Sequence, residues 1–275
     1  MKEIAVQDNM ELFQNVLDAA MKIPGVRINR EQFLRRTLSK YYKEDVVKTA
    51  IEYNPARAGI SSDELNNIAR SCIDFETKKV TAISAAAGVP GGFGMAVTIP
   101  GDLAQYFAHV IIILQKLIYL FGWRDLFRED EDFDDETFSL ITVFLGVMFG
   151  VQAANKVMAK VAAAAAARAN KVIAAKPLTK GVLYPIIKKI AVAIGARMNK
   201  GIFAGGVAKV IPFVGALTSG GVTFFTFRPM CYRLKRHLET LPIANISFYE
   251  NSEVMSHYNT DINELTQQDF DVEDI

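Results

Sequence analysis

Cysteine is scarce in this sequence, and so are stretches in which polar and apolar residues alternate. The 275 residues include two cysteines, Cys72 and Cys231, which lie far apart and lack metal-type or redox-type spacing. This pattern excludes a disulfide framework, a zinc site and a CxxC redox motif. Because few segments alternate with period two, the sequence does not indicate a sheet. A chain of this length buries a core without disulfides or metals.

Motifs for catalysis and for cofactors are missing as well. The sequence contains no GxSxG, HExxH or Cys/His metal spacing, and the stretch GVPGGFG is not followed by the Gly-Lys-Ser/Thr of a phosphate loop. Asp130, Asp132 and Asp134 resemble the start of a calcium loop, but Asp135 and Ile141 stand where that loop needs glycine and glutamate. We therefore predict no catalytic residue, no metal and no cofactor.

The N-terminal sequence MKEIAVQDNMELF lacks an apolar stretch behind its first lysine, so we expect no secretory signal. Hydrophobic residues make up 51% of the chain and the mean hydropathy is +0.16, which is more apolar than a soluble helical protein needs. Together with the absence of a disulfide framework, these features favour a cytoplasmic protein that associates with the inner face of the cell membrane.

Acidic residues are absent from one long span, 156–237, which holds 15 lysines and arginines. The acids concentrate in 125–136 and in the tail after Leu241, so the net charge of +1 hides a strong polarisation along the chain. A basic face of this kind is typical of proteins that bind anionic lipid. The residues predicted to bind the membrane are Lys156, Lys160, Arg168, Lys171, Lys188, Lys189, Arg197 and Lys200. The alternative, that these side chains only keep an apolar bundle soluble, stays open.

Nucleic acid is a second candidate for the acid-free span, since cations neutralise phosphates. Its cations are mostly lysines set among Ala, Val, Ile and Gly. The arginine and aromatic interleaving that stacks on bases is missing. We therefore do not expect nucleic acid as a partner.

Helical periodicity predicts an all-α fold, a compact multi-helix bundle in three parts. Residues 1–79 are typical of amphipathic helices with mixed charge, 80–240 of an apolar, basic helical core, and 241–275 of an acidic tail predicted to be partly disordered. A capping pattern at Asn29 predicts one helix that ends before Asn54. Ser61 with Glu64 predicts a second helix start.

A helix over about residues 102–122 is predicted to be buried at the centre, with Asp102 as its N-cap and Gly122 as its stop. Its polar residues share a narrow arc, which leaves a wide apolar face. The candidate polar face or pocket consists of Asp102, Gln105, His109 and Lys116. His109 is either a proton-transfer residue or a hydrogen-bonded core histidine.

Glycine-rich segments, 86–101 and 201–221, are predicted to form hairpins that pack beside the central helix. Gly-xxx-Gly spacing lets helix backbones approach closely, both in lipid and in a tightly packed soluble bundle. The predicted structural glycines are Gly88, Gly92, Gly94, Gly146, Gly150, Gly201, Gly205, Gly215, Gly220 and Gly221.

A membrane-spanning hairpin is conceivable, with 103–121 crossing outward and 137–155 returning, because both stretches approach the length of a transmembrane helix. However, His109 and Lys116 would lie inside the bilayer, where a central charge costs roughly 2.5 to 3.5 kcal/mol. We favour a helical core that docks on one leaflet or inserts partly into it.

Five stretches together resemble the EcsC family of bacterial proteins. They are CIDFETKKVTAISAAAGVPGG, TIPGDLAQYFAHVIIILQKLIYLFGW, GVMFGV, LTKGVLYPIIKKIA and KVIPFVGALTSGG, in this order within about residues 27–240. Gly101 departs from the family pattern, which has alanine there. The family is named after a gene beside those of an ABC transporter, so the resemblance implies a bacterial, mainly helical, membrane-linked accessory protein. It implies no catalytic residues, since the activity of the family is not established.

Three functional hypotheses follow. The leading one is a non-enzymatic, membrane-associated accessory or regulatory protein, whose partners are anionic membrane lipid and, further, a membrane transporter or another protein. The second is a membrane-disrupting effector in defence or competition, in which the glycine-rich hairpins insert. The third is a lipid-binding protein or lipid-modifying enzyme with a cavity near Asp102 and His109.

Overall fold

The computed structural model describes residues 2–87, 101–127, 135–168, 183–204 and 212–250. Those residues form ten α-helices, one short 3-10 helix and no strand, which confirms the predicted all-α bundle. The α-helices are α1 (Lys2–Met21), α2 (Arg30–Leu38), α3 (Glu44–Glu52), α4 (Ser62–Ala87), α5 (Gly101–Leu120), α6 (Asp135–Phe149), α7 (Gln152–Arg168), α8 (Leu183–Ala204), α9 (Pro212–Leu238) and α10 (Ile246–Glu250). The 3-10 helix is Pro242–Ala244.

Helix α5 is buried at the centre of the bundle, as its wide apolar face predicts. Helices α1, α2, α4 and α9 all pack against it. Among the described residues, one stretch, Leu103–Leu120, is long and apolar enough to cross a membrane, and 72% of it is buried inside the protein. The core helix of a soluble protein meets the same conditions, so burial in the bundle accounts for this composition.

The predicted stop at Gly122 is confirmed. Gly122 has φ +95°, and its N–H donates to the carbonyl of Tyr119 at 3.3 Å, while the N–H of Trp123 donates to Ile118 at 3.0 Å. These two bonds make the Schellman motif that ends many helices. At the other end α5 begins at Gly101, two residues earlier than an N-cap at Asp102 implies, and the side chain of Asp102 lies outside the described residues.

The apolar run 137–155 contains two helices, α6 and α7, rather than one long leg of a hairpin. Gly150 separates them with φ +74°. Gly146 has a different role, because a Cβ there would lie 2.6 Å from atoms of both Ala154 and Ile190. The predicted glycine pair therefore consists of one glycine that ends a helix and one that allows close helix packing.

The other predicted structural glycines have less defined surroundings. Gly201 lies in α8, and Gly215, Gly220 and Gly221 lie within the single helix α9. Gly88, Gly92, Gly94 and Gly205 lie outside the described residues. The described parts of the two glycine-rich segments are therefore helix ends, and the predicted hairpin turns fall beyond them.

Two helices, α2 and α3, replace the one helix predicted between residue 30 and Asn54. The start is as predicted, since Asn29 Oδ1 accepts from the N–H of Gln32 at 2.8 Å. The helix ends at Leu38, and α3 folds back on α2. A repeating apolar pattern does not reveal this break, because both helices continue the pattern toward the same core.

Arg30 stabilises the end of α3 that the break between α2 and α3 brings close to it. Its buried guanidinium donates to the carbonyls of Ile51 at 2.6 Å and Tyr53 at 3.3 Å, which belong to the end of α3. It also donates to the carbonyl of Trp123 at 2.9 Å, just after α5. One side chain thus satisfies the otherwise unbonded carbonyls of two helix ends.

The second predicted helix start is confirmed at α4. The Oγ of Ser61 accepts from the N–H of Glu64 at 3.4 Å, and Glu64 Oε2 accepts from the N–H of Ser61 at 3.0 Å. At the C-terminus, the first ten residues of the predicted tail fold onto the body, where Ile243 and Phe248 are buried. The rest of that tail, 251–275, lies outside the described residues.

A pair of glycine substitutions tests the packing behind α5. Gly122→Ala places a Cβ 2.8 Å from the carbonyl oxygen of Ile243, whereas Gly59→Ala, also at positive φ, meets nothing within 4 Å. We expect Gly59→Ala to lower the free energy of unfolding by about 1 to 2 kcal/mol through backbone strain alone. Gly122→Ala should cost at least about 1 kcal/mol more through overpacking. Urea unfolding measures both, and equal losses would contradict the contact.

Candidate functional site

Helices α4 and α5 meet around three charged or titratable side chains, which we call the core polar cluster: Glu76, His109 and Lys116. Glu76 is 1% exposed and His109 is 4% exposed. Glu76 Oε1 accepts a hydrogen bond from Lys116 Nζ at 2.6 Å. The second oxygen, Oε2, lies 3.7 Å from His109 Nδ1, which is longer than a hydrogen bond.

Helical spacing brings these residues together. His109 and Lys116 are seven residues apart on α5, so they lie on one stripe of that helix. Glu76 lies on α4 between the buried Ile73 and Val80, so it faces the core rather than the solvent. A carboxylate inside an apolar stripe is the sequence signal for Glu76, and it does not appear among the residues predicted from sequence.

The pKa of Glu76 is set by opposing effects. Burial raises it, but the polar contact with His109, the hydrogen bond from Lys116, and the charges of Lys116 and Lys79 outweigh burial. The result is a pKa lowered to about 2, so the carboxylate is ionised at neutral pH and balances the Lys116 ammonium.

The cluster is closed rather than open to a substrate. Among the described residues, Glu76 Oε2, both ring nitrogens of His109, and the hydroxyls of Thr77 and Thr81 have no hydrogen-bond partner. No group of three or more metal-ligating side chains occurs in the described part of the chain. His109 itself is buried, with 4% of its surface exposed. The hypothesis of a lipid-modifying enzyme at this position stays a prediction.

No contact of the described residues joins the other two members of the predicted polar face to the cluster. Gln105 is partly buried on α5, and the side chain of Asp102 lies outside the described residues. The face predicted from sequence therefore contributes two of its four residues, His109 and Lys116, to the cluster. Only the fold supplies their partner, Glu76.

The predicted membrane-binding cations that the structure describes lie on α7 and α8 rather than on α4 and α5. Lys156, Lys188 and Lys189 are exposed, and Lys160 is partly buried. Arg197 is exposed, but its guanidinium also donates to the carbonyl of Phe149 at the end of α6. The structure does not describe Lys171 or the side chains of Arg168 and Lys200.

A groove of about 810 Å³ lies beside these lysines, between α1 and α8. Val6, Met10 and Tyr184 supply its apolar lining, and Lys188 stands at its edge. Helix α8 packs mainly on α1 and α6. None of the helices α1, α6 and α8 carries a member of the core polar cluster.

A second surface lies on α4 and α9. It combines large apolar side chains of both helices with two lysines of α4. Phe225 is 76% exposed, Phe75 62%, Phe224 40% and Ile83 37%. Lys78 and Lys79 are exposed on α4 beside Phe75. We call this surface the aromatic face, and it consists of Phe75, Lys78, Lys79, Ile83, Phe224 and Phe225. Exposed apolar side chains in a group, rather than singly, mark interaction surfaces.

Antiparallel pairing of α4 with α9 brings these residues together. Arg228 Nη2 donates to Asp74 Oδ1 at 3.1 Å, and Lys235 Nζ donates to Asn66 Oδ1 at 2.6 Å. Asp74 of α4 thus pairs with the earlier residue of α9 and Asn66 with the later one, so the two helices run in opposite directions. The middle of α9, with Phe225, therefore lies level with the second half of α4.

The aromatic face is linked to the core polar cluster. Lys116 Nζ lies 6.0 Å from the centroid of the Phe75 ring and 2.6 Å from Glu76. Phe75 and Glu76 are neighbours on α4, about 100° apart around the helix axis, and Glu76 is 1% exposed while Phe75 is 62% exposed. The buried ion pair thereby holds α4, and with it the exposed phenylalanine, against α5.

The chain matches no known protein-family model, no curated protein and no solved structure. The resemblance to the EcsC family therefore stays a prediction. The functional conclusion depends on the surfaces and contacts described above.

Substitutions in the core polar cluster test its role in stability at neutral pH. Glu76→Gln leaves the Lys116 ammonium without its charged partner, so we expect the free energy of unfolding to fall by about 2 to 4 kcal/mol. Adding Lys116→Met should recover part of this loss, because it removes the uncompensated charge. The control is Glu44→Gln, which breaks the exposed pair of Glu44 with Arg35 and should have a much smaller effect. Equal effects of Glu76→Gln and Glu44→Gln in urea unfolding would contradict the interpretation.

The low pKa of Glu76 also predicts the response of the protein to acid. Because the pKa is lowered from 4.5 to about 2, the carboxylate contributes stability that is complete above pH 4.5 and is lost as the pH falls toward 2. The Glu76→Gln chain lacks this titration. Its free energy of unfolding should fall less than that of the unsubstituted chain between about pH 6 and about pH 2.5. Urea unfolding at several pH values measures the difference, and parallel curves would count against it.

Proposed function

We propose that this protein docks reversibly on an anionic membrane surface through its aromatic face. The observation that carries the proposal is the exposure of Phe75 and Phe225 beside Lys78 and Lys79 on two paired helices. Phenylalanine rings enter the boundary between headgroups and acyl chains, and lysines beside them attract anionic lipid. A surface with both features suits attachment to one leaflet without a spanning helix.

The energies favour weak attachment. Each lysine near an anionic leaflet contributes about 1 kcal/mol, and this contribution falls with added salt. Each buried phenylalanine side chain contributes about 1.5 to 3 kcal/mol when it leaves water. With two lysines and two well exposed phenylalanines, the sum suits an attachment that forms and releases readily.

This proposal shifts the binding residues from those predicted from sequence. Lys156, Lys188 and Lys189 remain exposed, but they lie on α7 and α8 rather than beside the most exposed phenylalanines. Arg197 takes part in an internal contact with the end of α6. The aromatic face offers cations and apolar side chains together.

A docked, non-enzymatic helical protein is suited to an accessory or regulatory role at the cytoplasmic side of a membrane. The proposed partners are anionic lipid and a membrane transporter or another membrane protein. This role agrees with what the EcsC resemblance implies, and the exposed residues support it independently of that resemblance.

Vesicle flotation with the double variant Phe75→Ser/Phe225→Ser tests the proposal. Both side chains are exposed, so the fold should persist, while the partition coefficient onto phosphatidylglycerol-containing vesicles should fall by at least about tenfold. Lys78→Gln/Lys79→Gln should weaken binding less and reduce its salt dependence. Circular dichroism checks that each variant keeps its helix content.

The matched control lies on the other side of the bundle. Tyr184→Ser/Lys188→Gln/Lys189→Gln removes one exposed aromatic residue and two exposed lysines from α8, and it should leave vesicle binding unchanged. Loss of binding in this control alone would place the docking surface on α8. Equal flotation of the unsubstituted chain with neutral and anionic vesicles would contradict an anionic-lipid function altogether.

A further inference from the structure

Three arginines gather at the end of α6, and we call them the arginine cluster: Arg197 of α8 with Arg233 and Arg236 of α9. Arg197 donates to the carbonyl of Phe149, and Arg233 donates to the carbonyl of Met148. Both carbonyls belong to the last turn of α6, so the two guanidinium groups are neighbours. Arg236 lies three residues after Arg233 and therefore on the same side of α9.

The cluster holds more positive charge than its surroundings neutralise. A helix C-terminus carries roughly half a negative charge, which offsets a fraction of the three guanidinium charges. Burial lowers the pKa of Arg233, and the charges of Arg197 and Arg236 lower it further. Among the described residues, none of the ion pairs involves any of the three arginines. All three are exposed, so the cluster can accept an anion from outside.

The sequence of this chain contains a segment of opposite charge. Residues 251–275 contain seven acidic residues and neither lysine nor arginine. Since the whole chain has a net charge of +1, residues 1–250 alone have a net charge of +8. Carboxylates form bidentate hydrogen bonds with guanidinium groups, a geometry that the lysine ammonium does not offer.

We propose that the acidic segment 251–275 binds in cis to the arginine cluster. Helix α9 carries Arg236 in its last turn, and α10 ends at Glu250, so the segment begins fifteen residues after Arg236 in the chain. Twenty-five residues reach up to about 85 Å when extended, which exceeds the length of any helix in the bundle. A covalent connection of this length gives an effective concentration on the order of millimolar, so weak individual ion pairs suffice.

This contact is independent of the proposed membrane docking. Arg236 is eleven residues from Phe225 on α9, or about 16 Å along the helix axis. The arginine cluster and the aromatic face are therefore separate sites along α9. Its effect is to neutralise a basic patch that would otherwise attract other anions.

Arginine-specific modification by phenylglyoxal, followed by peptide mass mapping, tests the proposal in the full-length protein. The comparison is with a full-length variant in which the seven acids are replaced by asparagine or glutamine: Glu253, Asp261, Glu264, Asp269, Asp271, Glu273 and Asp274. We expect Arg236 to react at least about threefold more slowly in the unsubstituted chain at low salt. The difference should disappear at about 0.5 M NaCl.

Arg36 supplies the internal control, because it is exposed on α2, remote in sequence from the arginine cluster. Its modification rate should be the same in both chains. Equal modification rates of Arg236 in the two chains would overturn the proposal. It would also be overturned if Arg36 reacted more slowly in the unsubstituted chain by the same factor as Arg236. If added inorganic phosphate slows the reaction of Arg236 while the acidic segment does not, the cluster binds phosphate and is not the binding site of the segment.

A second variant guards against indirect effects. Arg236→Gln removes one charge without touching the carbonyl contacts of Arg197 and Arg233. In this variant the protection of Arg233 by the acidic segment should decrease while helix content stays the same. Unchanged protection would show that the segment binds elsewhere.

Discussion

Helix α5 is apolar almost all round, and two of its polar residues, Gln115 and Lys116, are stabilised by partners inside the protein. Gln115 is fully buried; its amide nitrogen donates to the carbonyl of Val26 at 2.7 Å, and its oxygen accepts from the N–H of Ile28 at 2.8 Å. Lys116 pairs with Glu76 in the same way. Because an unpaired buried polar group costs about 1 to 3 kcal/mol, these contacts define which segments surround α5.

The orientation of α4 follows from this constraint. With Glu76 turned to Lys116, the neighbouring Phe75 is turned outward. The pairing of α4 with α9 then adds Phe225 to the same side of the bundle. The proposed docking surface thus depends on the ion pair between the partly buried Lys116 and the buried Glu76. This pair connects the stability of the fold with the proposed function.

The acid-free basic span has more than one use in the folded protein. Arg233 and Arg197 bind the carbonyls at the end of α6, and Lys235 is buried against Asn66. A cation that is committed to an internal carbonyl or carboxylate contributes less to a membrane surface than the sequence suggests. The count of positive charges along a chain therefore overestimates the number available to an anionic partner.

The sequence by itself determined the helical class and those helix ends that depend on neighbours within a few residues, such as the cap at Asn29 and the stop at Gly122. It also indicated that His109 and Lys116 share one face of a buried helix. Only the tertiary structure decided that Glu76 is their partner and that Arg30 joins α3 to the end of α5. Local signals act over one helical turn, whereas these contacts join residues between 20 and 93 positions apart, and their formation depends on how the helices pack together.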